Sequence, residues 1–269
     1  VHIAGTNGKG STAAIIESVL RENGYNSGLF TSPHLVELRE RFRIRGIKIS
    51  EEDLLDIINR IRPAVEESSA SFFETVTAAA FMYFLEQETD IACMETGLGG
   101  RLDATNVIIP EVSVITSIGM DHTGILGDDL ESIALEKAGI FKEHVPCVLG
   151  DRNRNVINTL LQKAGDMDVE LTVAADTLAV SGTHYSEDGT TFSIKTSLRE
   201  YNDLELGLAG PYQVENAGTA ILAIEKLEQL GWNISPDGLR RGLRNACWPG
   251  RMQLIKGKPK VLIDCAHND

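Results

Sequence analysis

The sequence predicts an α/β fold: a parallel sheet covered by helices on both faces, with a small antiparallel subsheet and the start of a second α/β domain at its C-terminal end. Three observations carry this. Short apolar runs alternate with helical stretches up to about Gly150, and strands separated by helices pair in parallel with both faces buried. Between about Val169 and Gly210 the texture changes to alternating Val, Leu, Thr and Phe, broken by Glu187-Asp188-Gly189, a hairpin signal. The length of 269 residues, 42% hydrophobic and 24% charged, is globular. It holds one large domain, or two ordinary ones at ~150 residues each.

Val1–Ala4 is an apolar strand already in progress. From Gly10 to Asn23, Ile15, Ile16, Val19 and Leu20 fall on one helical face, and Gly24 follows as a stop. Gly28-Leu29-Phe30 is a strand. Ser50-Glu51-Glu52-Asp53 reads as a capping box with Asp in the Glu position, opening a helix that turns Leu54, Leu55, Ile57, Ile58 and Ile61 inward. Phe72–Glu86 is apolar nearly all round and reads as a buried helix. Ile91–Met94, Val112–Ser117 and Cys147–Leu149 are strands, and Leu130–Phe141 and Val156–Ala164 are helices. Helices resume at Val214–Leu230 and again after Ser235-Pro236, with Ser as N-cap and Pro at the first position. Lys256-Gly257-Lys258-Pro259 reads as a linker turn. Residues 1–256 are therefore expected to form a central domain, and 257–269 a linker and the first strand of another. A start inside a strand, without Met or a targeting segment, predicts a piece of a longer protein.

Lys and Arg total 25 against 39 Asp and Glu, a net charge of −14. A general nucleic-acid binder carries a basic footprint, so nucleic acid is not an expected partner. No apolar run approaches the ~18–20 residues of a membrane helix. Of the four cysteines, Cys93, Cys147 and Cys265 sit in strand-like runs, and none of the four is spaced for zinc. The expectation is reduced, buried thiols in a cytoplasmic protein.

Gly5-Thr6-Asn7-Gly8-Lys9-Gly10-Ser11 lies between the first strand and the first helix. Glycines there let backbone N–H groups close around phosphate oxygens, and Lys9 adds a full positive charge to the helix N-terminus. The fit to G-x-x-x-x-G-K-[ST] is imperfect: Ile3 holds the first Gly position and Gly10 separates Lys9 from Ser11. Glu95 ends an apolar strand and precedes a Gly cluster, a place suited to Mg²⁺ beside a phosphate loop; taken alone it is equally a solvated strand end. Asp121-His122 follows the next strand and reads either as a turn or as part of the same crevice. On spacing alone Lys137 is a surface lysine. Arg39, Arg41, Arg43 and Arg45 alternate at period two, which on a strand puts them on one face, as an edge guard or a polyanion-attracting rim.

The loop, Thr31-Ser32-Pro33-His34-Leu35, Glu95-Thr96-Gly97-Leu98-Gly99-Gly100-Arg101-Leu102-Asp103-Ala104-Thr105-Asn106, Asp121-His122, Glu136-Lys137-Ala138-Gly139-Ile140, Pro249-Gly250-Arg251 and Asp264-Cys265-Ala266-His267-Asn268 occur in one order. Together they closely resemble the folylpolyglutamate synthase family, often bifunctional as dihydrofolate synthase, within the Mur ligase superfamily. The resemblance implies a P-loop-containing, ADP-forming ligase that uses ATP and Mg²⁺ to join L-glutamate to a folate or to dihydropteroate through an acyl phosphate, acting as a monomer. It implies that Gly5, Thr6, Asn7, Gly8, Lys9, Gly10 and Ser11 hold the phosphates, and that Asn216, Arg251 and Asp264 contact the nucleotide. Ser32, Glu95 and His122 would ligate Mg²⁺. Lys9, Lys137 (often carbamylated in this family) and His267 would serve catalysis, and Phe73, Glu74, Thr77 and Asp103 would line the pterin pocket. Cys265 stands where Gly is common.

A peptidoglycan Mur ligase is the alternative, but those usually carry Thr directly after the loop Gly-Lys, where this chain has Gly10. A GTPase switch predicts an Asn-Lys-x-Asp motif that the sequence lacks. A non-catalytic relative is disfavoured by the intact Lys9, Glu95, His122 and Lys137 set.

Overall fold

The computed structural model describes residues 1–187 and 189–265, so His267 lies outside the described residues. The chain opens with β1 (His2–Ala4), α1 (Lys9–Glu22) and β2 (Ser27–Phe30). A 3-10 turn at Leu38–Arg41 leads to β3 (Phe42–Ile44) and β4 (Ile47–Lys48). Then come α2 (Glu51–Ser68), α3 (Phe72–Glu86), β5 (Ile91–Glu95) and β6 (Ser113–Ile115). The short α4 (Thr123–Leu126) precedes α5 (Leu130–Lys137), β7 (Cys147–Leu149), α6 (Arg154–Asp166), β8 (Leu171–Val173) and α7 (Ala174–Thr177). The chain continues through β9 (Ala179–Ser186), β10 (Gly189–Lys195), β11 (Glu200–Leu206), α8 (Pro211–Gln229) and α9 (Pro236–Asn245) to β12 (Gln253–Ile255) and β13 (Val261–Ile263).

An eight-stranded sheet in the order β4-β3-β2-β5-β1-β6-β7-β8 forms the frame. From β2 to β8 its pairs are parallel, with β3 and β4 antiparallel at one edge. Alternation along a strand explains its two covered faces. Val114 and Val148 pack into the core beneath α1, α8 and α9, while Ile115, Cys147 and Leu149 pack against α5 and α6. A third core joins α2 and α3 to Phe30, Phe42 and Met94. Ile15, Ile16, Val19 and Leu20 of α1 are fully buried, each contributing roughly 1.5–3 kcal/mol. The antiparallel subsheet is three-stranded, in the order β11-β10-β9.

Several local expectations are corrected. β8, inside the stretch assigned to the subsheet, pairs in parallel with β7, because α6 returns the chain to the main sheet. Leu55 is 61% exposed, on the outer side of a helix that buries Leu54 and Ile57. α3 is covered on one side only and leaves Leu85 in solvent, so its apolar content does not translate into all-round burial. The helix expected to reach Phe141 stops at Lys137 and tightens into a 3-10 turn at Ala138–Ile140. Arg39, Arg41, Arg43 and Arg45 do not share a strand face. Glu37 and Glu40 close a capping box that winds Arg39 and Arg41 into the 3-10 turn, and Arg45 takes a positive φ at the turn into β4. Cys93 and Cys147 are buried, but Cys265 follows β13 half-buried and Cys247 is exposed. Lys256–Pro259 joins β12 and β13, which pair with each other antiparallel.

Candidate functional site

In register, Ile3 stands beside Glu95, Ala4 beside Ile115 and Phe30 beside Met94. The C-terminal ends of β1, β2, β5 and β6 therefore open on one edge, the crevice where open α/β sheets receive ligands. The loop after β1 is the centre of that edge. Thr6 N donates to Ser117 O at 2.6 Å and Thr116 Oγ1 donates to Asn7 O at 2.6 Å, pinning the loop to the end of β6.

The start of α1 is arranged for an anion. Gly8 is its N-cap at φ +84°, a left-handed conformation that L side chains resist, and no side chain caps the helix. A Cβ on Gly8 would fall 2.3 Å from Asn216 Oδ1, so backbone and Asn216 share one tight cradle. The first turn holds no acidic residue, and its N–H groups point outward with a partial positive charge. Lys9 Nζ folds back over the loop to Gly5 O at 2.9 Å and Thr6 O at 3.1 Å. Ser11 Oγ accepts from Gln213 Nε2, and Thr12 Oγ1 is buried without a partner.

Lys9, Ser32, Glu95 and His122 line one cavity of about 370 Å³. Glu95 is 4% exposed, and its Oε2 accepts from Ser32 N at 2.9 Å. Burial pushes its carboxyl up to about 6, against the opposing pull of Lys9 and the Ser32 hydrogen bond. His122, at φ +49°, stays exposed at the rim. Among the described residues no three His, Cys, Asp or Glu side chains converge as a metal cage. The set instead fits a hard cation held by one carboxylate, a hydroxyl and phosphate oxygens, the usual Mg²⁺ arrangement.

Lys137 overturns its surface reading. It is buried at the end of α5, and its Nζ donates to Gly5 O at 2.9 Å, the carbonyl that Lys9 also uses. Burial first, then the charge of Lys9, lowers its pKa to about 8. Spacing misplaced it because α5 is covered on more than one side: Ile133 and Ala134 are buried, and the helix end abuts the phosphate loop.

A second cavity, of about 470 Å³, lies across the loop and brings together Asn216, Arg251 and Asp264. It shares Asn7, Gly8, Ser11 and Arg251 with the first. Asp264 Oδ2 there accepts from Tyr212 OH and Met252 N. A third, of about 590 Å³, is walled by Phe72, Phe73, Glu74 and Asp103 and joins the first at Ser32, Pro33 and Gly97. Phe73 packs beneath Gly97, where a Cβ would come within 2.6 Å of its ring. Asp103 is occupied structurally: Oδ2 accepts from Gly97 N and Leu98 N, and Oδ1 from Thr105 N and Oγ1. Thr77 is buried on the packed side of α3, away from this cavity. Sequence reasoning missed Trp248, whose ring roofs Gly10, and Gln213 as the partner of Ser11.

Residues 3–224 match the Mur ligase middle domain. The chain belongs to the Mur ligase family. Within it, the chain groups with the folylpolyglutamate synthases. It is 42% identical over its whole length to the dihydrofolate synthase/folylpolyglutamate synthase of Bacillus subtilis, covering 64% of that protein. It is 36% identical to the Escherichia coli enzyme of the same name, over 99% of this chain and 60% of that one. Its fold overlays an FPGS–AMPPCP–folate complex with a TM-score of 0.95 at 34% identity, covering 99% of this chain and 67% of that one. An E. coli FolC structure in complex with DHPP and ADP overlays at 0.89 and 35% identity, over 99% of this chain and 61% of that one. The chain thus spans under two-thirds of the length of these curated relatives. None of its described helices is long and apolar enough to cross a membrane.

Proposed function

We propose that the protein is an ATP-dependent amide ligase that adds L-glutamate to a folate, to dihydropteroate, or to both, releasing ADP and phosphate. The observation that carries this is the junction of two unlike cavities. A cationic cradle at the start of α1 meets an aromatic cavity at Ser32, Pro33 and Gly97. A flat aromatic ligand in the aromatic cavity would present its carboxylate to a terminal phosphate in the cationic cradle. The solved complexes of relatives with AMPPCP and folate, and with DHPP and ADP, support the same pairing.

In the first half-reaction a carboxylate oxygen attacks the γ-phosphorus and the bond to the β-phosphate oxygen breaks, leaving an acyl phosphate and ADP. In the second, the glutamate amine attacks the acyl carbon, the C–O bond to phosphate breaks, and the amine proton passes to solvent. The chain's part is to position groups and balance charge. The α1 N-terminus and Lys9 hold the β- and γ-phosphates, and Asn216, Arg251 and Asp264 hold the rest of the nucleotide. Glu95, Ser32 and His122 would hold Mg²⁺, which supplies neutralisation of the phosphate charge when bound. Lys137, lowered to about 8, is suited to carbamylation, which turns a cation into an anion beside the loop.

The same reading extends to the whole protein: a monomer working on small molecules in the cytoplasm, with residues 1–256 as its ATP-binding domain and 257–269 leading into another. The exposed apolar side chains of Val261, Leu262 and Ile263 support a covering element beyond β13. An assay of the full-length protein tests the function. ADP release is expected to require both glutamate and a pterin carboxylate, with dihydropteroate and tetrahydrofolate tried side by side. ADP release driven instead by a UDP-muramyl peptide acceptor, and by neither pterin, would contradict it.

A further inference from the structure

Arg41 has no part in the phosphate cradle described above. Arg41 is only 7% exposed, and no carboxylate among the described residues comes within ion-pair distance of it, although the charge of the buried Glu95 acts on it across the site. Its Nε donates to His34 Nδ1 at 2.9 Å and its guanidinium lies over the Phe72 ring at 5.4 Å. Among the described residues its terminal nitrogens have no hydrogen-bond acceptor, although a largely buried guanidinium stays charged and is costly to leave unpaired. Arg41 lines the aromatic cavity, which meets the phosphate cradle at Ser32 and Pro33, and it is tied towards that junction by His34 of the same loop and by the charge of Glu95. The neighbouring arginines are used otherwise: Arg39 pairs with Glu37 and Glu51, and Arg43 donates to Glu40 O.

We infer that Arg41 is the receptor for the carboxylate of the pterin substrate, gripping it with the free edge of its guanidinium at the mouth of the phosphate cradle. This rests on the ligase reading above and adds a specificity residue to it. A planar fork matches a carboxylate bidentately, and the Nε bond to His34 together with the Phe72 ring fixes its plane. The contact selects ligands that carry an acid at that end and holds the acid's oxygens near the phosphate. The lone acceptor His34 lies in the Thr31–Leu35 loop, so the same side chain ties the loop to its ligand.

The test is equilibrium binding of dihydropteroate and of its neutral carboxamide to the wild-type protein, Arg41→Gln and Arg41→Lys, with AMPPCP affinity as a control for the fold. Wild type is expected to prefer the carboxylate by about tenfold or more, the range of one charge-assisted contact. Arg41→Gln should lose that preference by binding the carboxylate more weakly and the carboxamide unchanged. Arg41→Lys should keep part of it. AMPPCP affinity should be the same in all three. A carboxylate preference that survives in Arg41→Gln overturns the inference. So does an equal loss of both pterins, which would mean that Arg41 only shapes the loop; the ligase reading survives either result. A wild-type protein that binds neither pterin would bring down the ligase reading itself.

Discussion

Lys9→Ala is expected to weaken Mg-ATP binding by about tenfold to a hundredfold, the scale of lost charge-assisted hydrogen bonds. Turnover should fall further, by at least ~10³, because the developing phosphoryl charge loses its nearest cation. The fold should be untouched. Among the described residues Lys9 Nζ bonds only to Gly5 O and Thr6 O, within its own loop, while Thr116, Thr6 and Ser117 hold that loop to β6 without it. Circular dichroism and an ATP-binding titration check this pair of outcomes, and an unchanged ATP affinity would count against the cradle as a phosphate site.

Lys137→Ala should abolish turnover while leaving ATP binding within a few-fold of wild type. Lys137→Arg should not rescue it, because a guanidinium cannot form a carbamate. The chemistry balances simply: the neutral amine attacks CO₂, an N–C bond forms and a proton is released. With the amine held near 8 by burial and by Lys9, the reactive neutral form grows as pH rises through that value, well below the 10.5 of an ordinary lysine. At a fixed CO₂ pressure, a ¹³C carbamate resonance should therefore strengthen from about pH 7 to about pH 9 and be missing in Lys137→Ala. Normal activity of that variant without bicarbonate would refute the role.

The elements of this fold were legible wherever periodicity had only one partner to satisfy. α3 was read at its observed bounds, Phe72–Glu86, and Ser50 and Ser235 cap the helices assigned to them. Readings failed where a distant contact or a local hydrogen bond decided the outcome. The arginine alternation fits a strand, but the Glu37–Glu40 box is a stronger local constraint and winds the chain instead. Lys137 looked like a surface residue because helical spacing cannot reveal that Gly5, remote in sequence, waits at the helix end. The site residues came mainly from ordered motifs. Their convergence depends on parallel register between β1, β5 and β6, which no short window contains. Asp103 shows the converse: a motif residue beside the aromatic cavity whose oxygens are already engaged by Gly97, Leu98 and Thr105.

The central claim is that the aromatic cavity delivers a carboxylate to a phosphate held at the start of α1. Positional isotope transfer tests it most directly. Dihydropteroate labelled with ¹⁸O in its carboxylate is incubated with the full-length protein, ATP, Mg²⁺ and glutamate, and the released phosphate is analysed by mass. An acyl phosphate route predicts one ¹⁸O in each phosphate formed during ligation, with ADP as the other product. Unlabelled phosphate accompanying amide formation, or label appearing in AMP, would contradict it.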